Sequence, residues 1–277
     1  MKTSHCIPAL ALAFSSCVTT STVPPVRTEL VIVGGGGTTP PIVARALELA
    51  RGRESYVVVL PQASESEQRG VESTQMWKDA GASEAVNLDD LSDRERALAE
   101  LERADLIWFG GGDQKLLMEA LRQADLIETI SRRASRGVVC GGTSAGAAVM
   151  SAVMITGEGT DKGTDELKKI AAGATLVSQG LGLLPGAIVD QHFLARQRNN
   201  RLLGAVLDHP ELIGVGIDER TAFIVVDGRA EVLGEGGVVV YDARRAAVER
   251  SEPGQRSAAR GIEMHVLRSG MVYELGD

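Results

Sequence analysis

Aromatic side chains make up only 3% of the 277 residues, which leaves the core to Val, Leu, Ile and Ala and removes the stacking platforms used on single-stranded nucleic acid. Basic residues are also in the minority. With 29 Lys and Arg against 37 Asp and Glu the net charge is −8, so nucleic acid is not expected as a partner, while a cationic substrate is compatible. Three cysteines and four histidines, with no HExxH and no CxxC, supply neither a disulfide framework nor a metal centre. No metal or other cofactor is expected.

The amino terminus does not read as fold. Met1 and Lys2 precede an apolar run from Cys6 to Phe14, too short to span a bilayer, and the small residues Ser15 and Ser16 follow before Cys17. This is the layout of an export signal, so an exported location is expected: periplasmic, extracellular or lipid-anchored. The Phe-Ser-Ser-Cys segment is similar to a lipoprotein cleavage box, with Phe14 where Leu is usual. Cys17 is therefore a lipidation candidate and the one route to a membrane. The plainer alternative is a disordered arm. Val18–Val26, rich in Ser, Thr and Pro, reads as a tether, giving a leader over 1–26 and a single α/β domain over 27–277. Cys140 ends an apolar run and is expected to be a buried thiol.

From Arg27 onward short apolar runs alternate with segments of helical period. Glu29–Val33, Tyr56–Leu60, Asp105–Phe109 and Val138–Cys140 suit parallel strands covered on both faces, with helices predicted over Ile42–Arg51, Ser64–Ala80, Asp93–Ala104 and Lys115–Arg136. The expected fold is a doubly wound α/β sheet, mostly parallel. Beyond Ile213, runs such as Phe223–Val226, Val238–Tyr241 and Met264–Leu267 between Gly turns predict antiparallel hairpins.

Ligands of such sheets bind beyond the carboxyl ends of the strands, where three loops are glycine-rich. Gly34–Gly37 lacks the third glycine of the dinucleotide register and is read as backbone passing close to the active centre or another loop. Gly142-Thr143-Ser144-Ala145-Gly146 spells GxSxG between a strand and a small-residue helix, the setting of a nucleophile elbow with Ser144 at its tip. Ala145 at the helix start offers an amide to an oxyanion. A phosphate-loop reading fails because Thr143 stands where Lys is needed, and the alternative left open is that Ser144 caps the helix. A serine nucleophile needs a base. His192 follows the apolar run Ala187–Val189, whereas His209 and His265 are less well placed; Asp218 and Glu219 end another such run and are candidates for the orienting acid.

Five segments occur in order: Phe109-Gly110-Gly111-Gly112-Asp113-Gln114, Gly141 to Ala147, Gly180 to Gly186, Asp190-Gln191-His192-Phe193 with Arg196, Arg198 and Arg201, and Gly216-Ile217-Asp218-Glu219. Together, from Leu30 to about Val226, the chain resembles cyanophycinase. The resemblance implies a serine peptidase on a class I glutamine-amidotransferase-like, flavodoxin-like fold, related to aspartyl dipeptidase E and commonly a homodimer. It implies hydrolysis of cyanophycin, a poly-aspartate carrying arginine on each side chain, to β-Asp-Arg dipeptides. Ser144 would be nucleophile, His192 base and Glu219 its orienting acid. Gly111, Gly112 and Ala145 would form the oxyanion site, and Gln114, Asp190, Gln191, Arg196, Arg198 and Arg201 would bind substrate. Arg forks suit the substrate's carboxylates and a carboxylate such as Asp190 its guanidinium. If Phe193 begins a regular helix, Arg198 and Arg201 share a face and Arg196 points elsewhere, toward His192. Two alternatives remain: an aspartyl dipeptidase on the same fold, and a non-catalytic binding protein on that scaffold.

Overall fold

The computed structural model describes residues 28–159, 169–249 and 251–276. The leader, the tether, Cys6 and the lipidation candidate Cys17 lie outside these residues.

In chain order the strands are β1 (Leu30–Val33), β2 (Tyr56–Leu60), β3 (Glu84–Asn87), β4 (Leu106–Phe109), β5 (Val139–Thr143), β6 (Val153–Gly159), β7 (Thr175–Gln179), β8 (Ala187–Gln191), β9 (Ile213–Ile217), β10 (Thr221–Val226), β11 (Arg229–Gly234), β12 (Gly237–Asp242), β13 (Ala247–Glu249), β14 (Ala258–Arg260), β15 (Glu263–Arg268) and β16 (Val272–Glu274). The α-helices are α1 (Pro40–Leu49), α2 (Val71–Asp79), α3 (Arg94–Arg103), α4 (Gln114–Gln123), α5 (Ile127–Ala134), α6 (Ala145–Ala148) and α7 (Asn199–Asp208).

The principal sheet runs β16-β11-β10-β1-β5-β4-β2-β3. Its five strands from β1 to β3 are parallel, and β10, β11 and β16 add an antiparallel flank. One face is covered by α1 and α2 through Ile42, Val43, Leu47 and Trp77; the other packs against α3, α4 and α5 through Leu101, Leu117 and Ile130. Burial on both faces explains why β1, β2 and β4 are continuous apolar runs. This is the expected doubly wound, mostly parallel α/β sheet with later antiparallel strands. A second sheet, β15-β12-β9-β8, pairs β8 with β9 in parallel and packs its inner face into the same core.

Several elements differ from the pattern-based expectation for local reasons. Lys115–Arg136 is not one helix: Asp125 adopts φ 53°, the Leu126 amide donates back to Leu121 O (3.0 Å) and the Asp125 amide to Arg122 O (3.0 Å). That is a Schellman ending, with Asp in the position usually held by Gly, and the unbroken apolar period hides it. Ser64–Ala80 becomes helical only at Val71, because the hydroxyls of Ser64 and Ser66 accept from the amides of Ser66 and Gln68 (each 3.2 Å) and hold the chain in turns. The helix expected from Phe193 starts at Asn199, since His192 and Gln197 both have positive φ (49° and 54°). The short, half-exposed β3 and the β6–β7 hairpin carry no strong strand pattern.

The two parallel pairs that matter for the site are β1 with β5 and β8 with β9. Their carboxyl ends converge, β1 and β5 delivering Gly34 and Ser144, β8 and β9 delivering His192 and Asp218-Glu219.

Candidate active site

Ser144 follows β5 directly and has φ 54° and ψ −113°, a backbone state that a non-glycine residue holds only when its surroundings impose it. Those surroundings are specific. The Ser144 amide donates to Val33 O (3.0 Å), its carbonyl accepts from the amides of Ala147 and Ala148, and the chain then turns into α6 across Phe109. A Cβ on Gly146 would lie 2.2 Å from the Phe109 carbonyl oxygen, so the turn requires glycine there. The strained residue projects its side chain instead of capping α6: no cap hydrogen bond forms.

The Ser144 Oγ lies 2.9 Å from His192 Nε2, and His192 Nδ1 lies 2.6 Å from Glu219 Oε1. A carboxylate only accepts, so the imidazole carries its proton on Nδ1 and presents Nε2 as acceptor to the serine hydroxyl. Burial of His192, 8% exposed, lowers its pKa below the ordinary 6.5 as the leading cause; the Glu219 hydrogen bond opposes this, and the nearby Arg196 and Arg198 charges reinforce it. The ring is thus held neutral and able to take a proton at neutral pH. Asp218, the other candidate acid, accepts from the Ala195 amide (3.0 Å) and anchors the turn after His192. The geometry gives Glu219, not Asp218, to the imidazole.

The Gly34–Gly37 loop is the seat of this pair. The His192 amide donates to Gly34 O (2.7 Å) and the Arg220 amide to Gly35 O (2.7 Å), so one loop positions the residues on both sides of the hydrogen bond. A Cβ on Gly35 would lie 2.3 Å from His192 Cε1, and one on Gly36 would lie 2.7 Å from Glu219 Cβ. Only bare backbone fits between them. This matches the reading of the loop as close-approach backbone.

Beside the elbow, Gly111 is 3.4 Å, at its ideal Cβ position, from Ser144 Cβ. Gly112 packs instead on the carbonyl of Ala63. Among the described residues, neither the Gly111 nor the Ala145 amide is donated to a backbone carbonyl. The same holds for the Gly112 amide, so the amides of Gly111, Gly112 and Ala145 are all available to a developing oxyanion.

The residues singled out for substrate binding divide into inward and outward groups. Asp190 is 1% exposed and is gripped by Arg201, whose Nε donates to Oδ2 at 2.8 Å while a terminal nitrogen donates to Oδ1. Arg198 donates to the main-chain oxygen of Gln191 (2.6 Å) and to its side-chain oxygen. Gln114 is buried and donates to Ile155 O (2.9 Å). Asp190 is thus consumed inside the protein and is not the open partner for a guanidinium that the sequence suggested. The regular-helix argument for an Arg198–Arg201 face fails with the helix itself; both turn inward, and Arg196 is the exposed member. Burial, then the Arg201 charge, pull the Arg198 pKa down to about 10 despite Asp190; that one carboxylate lies within ion-pair reach of both Arg198 and Arg201. Sequence reasoning missed Ser151, fully buried, whose hydroxyl accepts from the Val189 amide (2.8 Å) and steadies β8 beneath His192. Its only signal was a polar residue inside an apolar run. Cys140 is buried as expected, its thiol pushed up to about 12 and inert.

Three outcomes are expected. Labelling of Ser144 by a serine-directed phosphonate should rise with pH through a midpoint below 6.5, and in Glu219→Gln, which removes the main influence raising the His192 pKa, the midpoint should fall further while the rate drops; an unmoved or higher midpoint would contradict the pairing. Gly35→Ala should slow labelling about a hundredfold by displacing the ring, with the fold retained by circular dichroism. Asp190→Ala, which strands the half-buried Arg201, should cost about 3 kcal/mol in denaturant unfolding; an unchanged midpoint would return Asp190 to a pure ligand role.

Residues 30–233 match peptidase family S51. The chain is 35% identical over 241 residues to the cyanophycinase of Synechococcus elongatus, covering 82% of this chain and 71% of that protein. It is also 35% identical over 237 residues to the cyanophycinase of Geminocystis herdmanii, covering 82% and 83%. The crystal structure of a peptidase from an acI-B1 Actinobacterium superposes with a TM-score of 0.61 at 19% identity, over 90% of this chain and 98% of that one, which shows a shared fold. The chain belongs to peptidase family S51 and is a serine-type peptidase.

Proposed function

We propose that this peptidase hydrolyses cyanophycin, releasing β-Asp-Arg dipeptides through an acyl-enzyme on Ser144. The observation that carries the chemistry is the Ser144–His192–Glu219 hydrogen-bonded chain. Support for the substrate comes from the cyanophycinases that match 82% of the chain.

In the first half-reaction His192 Nε2 takes the Ser144 proton as Oγ attacks a backbone carbonyl of the substrate. The oxyanion forms against the amides of Gly111 and Ala145, and the imidazolium is stabilised by Glu219. The C–N bond breaks as His192 returns the proton to the leaving amine. Water, deprotonated by the same nitrogen, then attacks the ester and Ser144 recovers its proton.

Recognition follows from charge. Each unit of the polymer carries the free carboxylate of its arginine, and the Arg196–Arg198–Arg201 cluster, incompletely offset by Asp190, is a receptor for it, with Arg196 at the exposed end. Asp190 and Gln191 act by holding Arg201 and Arg198 in place, and Gln114 by tying the start of α4 to β6. The reading also takes the leader over 1–26 as an export signal, so that the enzyme meets polymer outside the cytoplasm; fractionation of expressing cells tests this, and retention in the cytoplasm would refute it.

The decisive experiment incubates residues 18–277 with insoluble cyanophycin and follows soluble dipeptide by mass spectrometry. Wild type should release β-Asp-Arg, while Ser144→Ala and His192→Ala should fall by several orders of magnitude, roughly 10⁴-fold or more. Full activity in either variant would overturn the mechanism. No release by folded wild type, together with cleavage of short aspartyl peptides, would make it a dipeptidase.

A further inference from the structure

Two connections of the chain lie side by side at the edge of the site, and each crosses from one sheet to the other. Residues 218–220 carry the chain from β9 of the second sheet to β10 of the principal one, and residues 235–236 carry it back from β11 to β12. Glu219 sits in the first of these crossings. Its side chain is 39% exposed, and among the described residues its carboxylate has no hydrogen-bond partner other than His192. Packing alone does not fix the acid, so its aim depends on the backbone that carries it.

That backbone is clasped by the second crossing. The Asp218 amide donates to Gly237 O (3.0 Å) and the Glu235 amide to Arg220 O (3.1 Å). The buried hydroxyl of Thr221 donates to Glu219 O (3.0 Å) and accepts from the Gly236 amide (2.8 Å). The approach leaves no room for a side chain, since a Cβ on Gly234 would lie 2.3 Å from Arg220 O. Over the outside of the clasp the Arg220 guanidinium forks onto Glu235, Nε and a terminal nitrogen each donating to one carboxylate oxygen at 2.6 Å. Both side chains are about half exposed, where a single-contact ion pair contributes little, but a bidentate fork is the geometry that does hold. Arg220 has φ 55°, a state that a non-glycine residue keeps only under constraint, and its own amide donates to Gly35 O (2.7 Å).

We propose that Arg220 and Glu235 are positioning residues for the reaction, an ion-paired clasp that locks the two sheet crossings together and so aims Glu219 at His192. The inference rests on the Ser144–His192–Glu219 reading and deepens it. With the fork closed, the Arg220 carbonyl is held by the Glu235 amide and the Arg220 amide by the glycine loop, so the residue next to the acid is pinned from both sides. With the fork open, the turn at Glu235 and Gly236 can draw away from residues 218–220, and the part-exposed Glu219 carboxylate loses its aim. The imidazole then loses the partner that keeps its proton on Nδ1. Among the described residues neither the Arg220 nor the Glu235 side chain hydrogen-bonds to Ser144 or His192, so the effect on catalysis passes through the acid.

The test is a double-mutant cycle read by phosphonate labelling of Ser144, which needs no peptide substrate. Glu235→Gln, a change of nearly equal size on the surface, should slow labelling about tenfold in the otherwise unaltered protein. In the Glu219→Gln background the same change should leave the rate where Glu219→Gln puts it, because the clasp then has no carboxylate to aim. The exchanged pair Arg220→Glu/Glu235→Arg should recover most of the lost rate. Full-rate labelling of Glu235→Gln, an equal loss in the Glu219→Gln background, or no recovery in the exchanged pair would overturn the clasp. Labelling unaffected by Glu219→Gln alone would instead overturn the Ser144–His192–Glu219 reading, so the two failures are distinguishable.

Discussion

Bare backbone lying between an imidazole and a carboxylate is the constraint on which the site depends. Gly35 and Gly36 fill the space beside His192 and Glu219 so closely that no side chain can be added, and the same loop receives the amides of His192 and Arg220. The loop is the direct continuation of β1, the strand that also fixes Ser144 through Val33 O. One strand end therefore sets the position of all three groups. A second constraint acts from the other side: the elbow holds Ser144 at φ 54°, and the close contact of Gly146 with Phe109 keeps it there.

The division of labour between the two sheets follows from this. The principal sheet supplies the serine and the amides of Gly111 and Ala145; the second supplies base and acid from the ends of β8 and β9. Relative movement of the sheets would pull Ser144 away from His192, and their common apolar core resists it. Beneath His192, burial of Asp190 with Arg201, and of Ser151 with β8, stiffens the strand end at which the ring emerges. The polar network of Asp190, Gln191, Arg198 and Arg201 is thus partly a support for the base.

Much of this was legible in the residues. The parallel strands announced themselves as apolar runs, GxSxG fell between a strand and small residues, and position alone selected His192 among the histidines. The glycine loop was read correctly as close-approach backbone once the dinucleotide register failed. Other features had no linear signal. Asp125 ends α4 in a conformation usually marked by Gly, so period alone merged two helices. Positive φ at His192 and Gln197 delays α7 to Asn199, which turned the predicted spacing of three arginines into a different arrangement. Pairing of Asp190 with Arg201 joins a strand end to a helix and depends on the tertiary structure, and the choice of Glu219 over Asp218 depends on which side chain reaches Nδ1.

The central claim is that Ser144, activated by His192 and Glu219, carries the acyl group while Gly111 and Ala145 hold its oxyanion. A crystal structure of the phosphonate adduct tests it most directly. The account predicts phosphorus bonded to Ser144 Oγ, with one phosphonyl oxygen about 2.7–3.1 Å from the amide nitrogens of Gly111 and Ala145. An adduct on another residue, or a phosphonyl oxygen turned away from both amides, would contradict it.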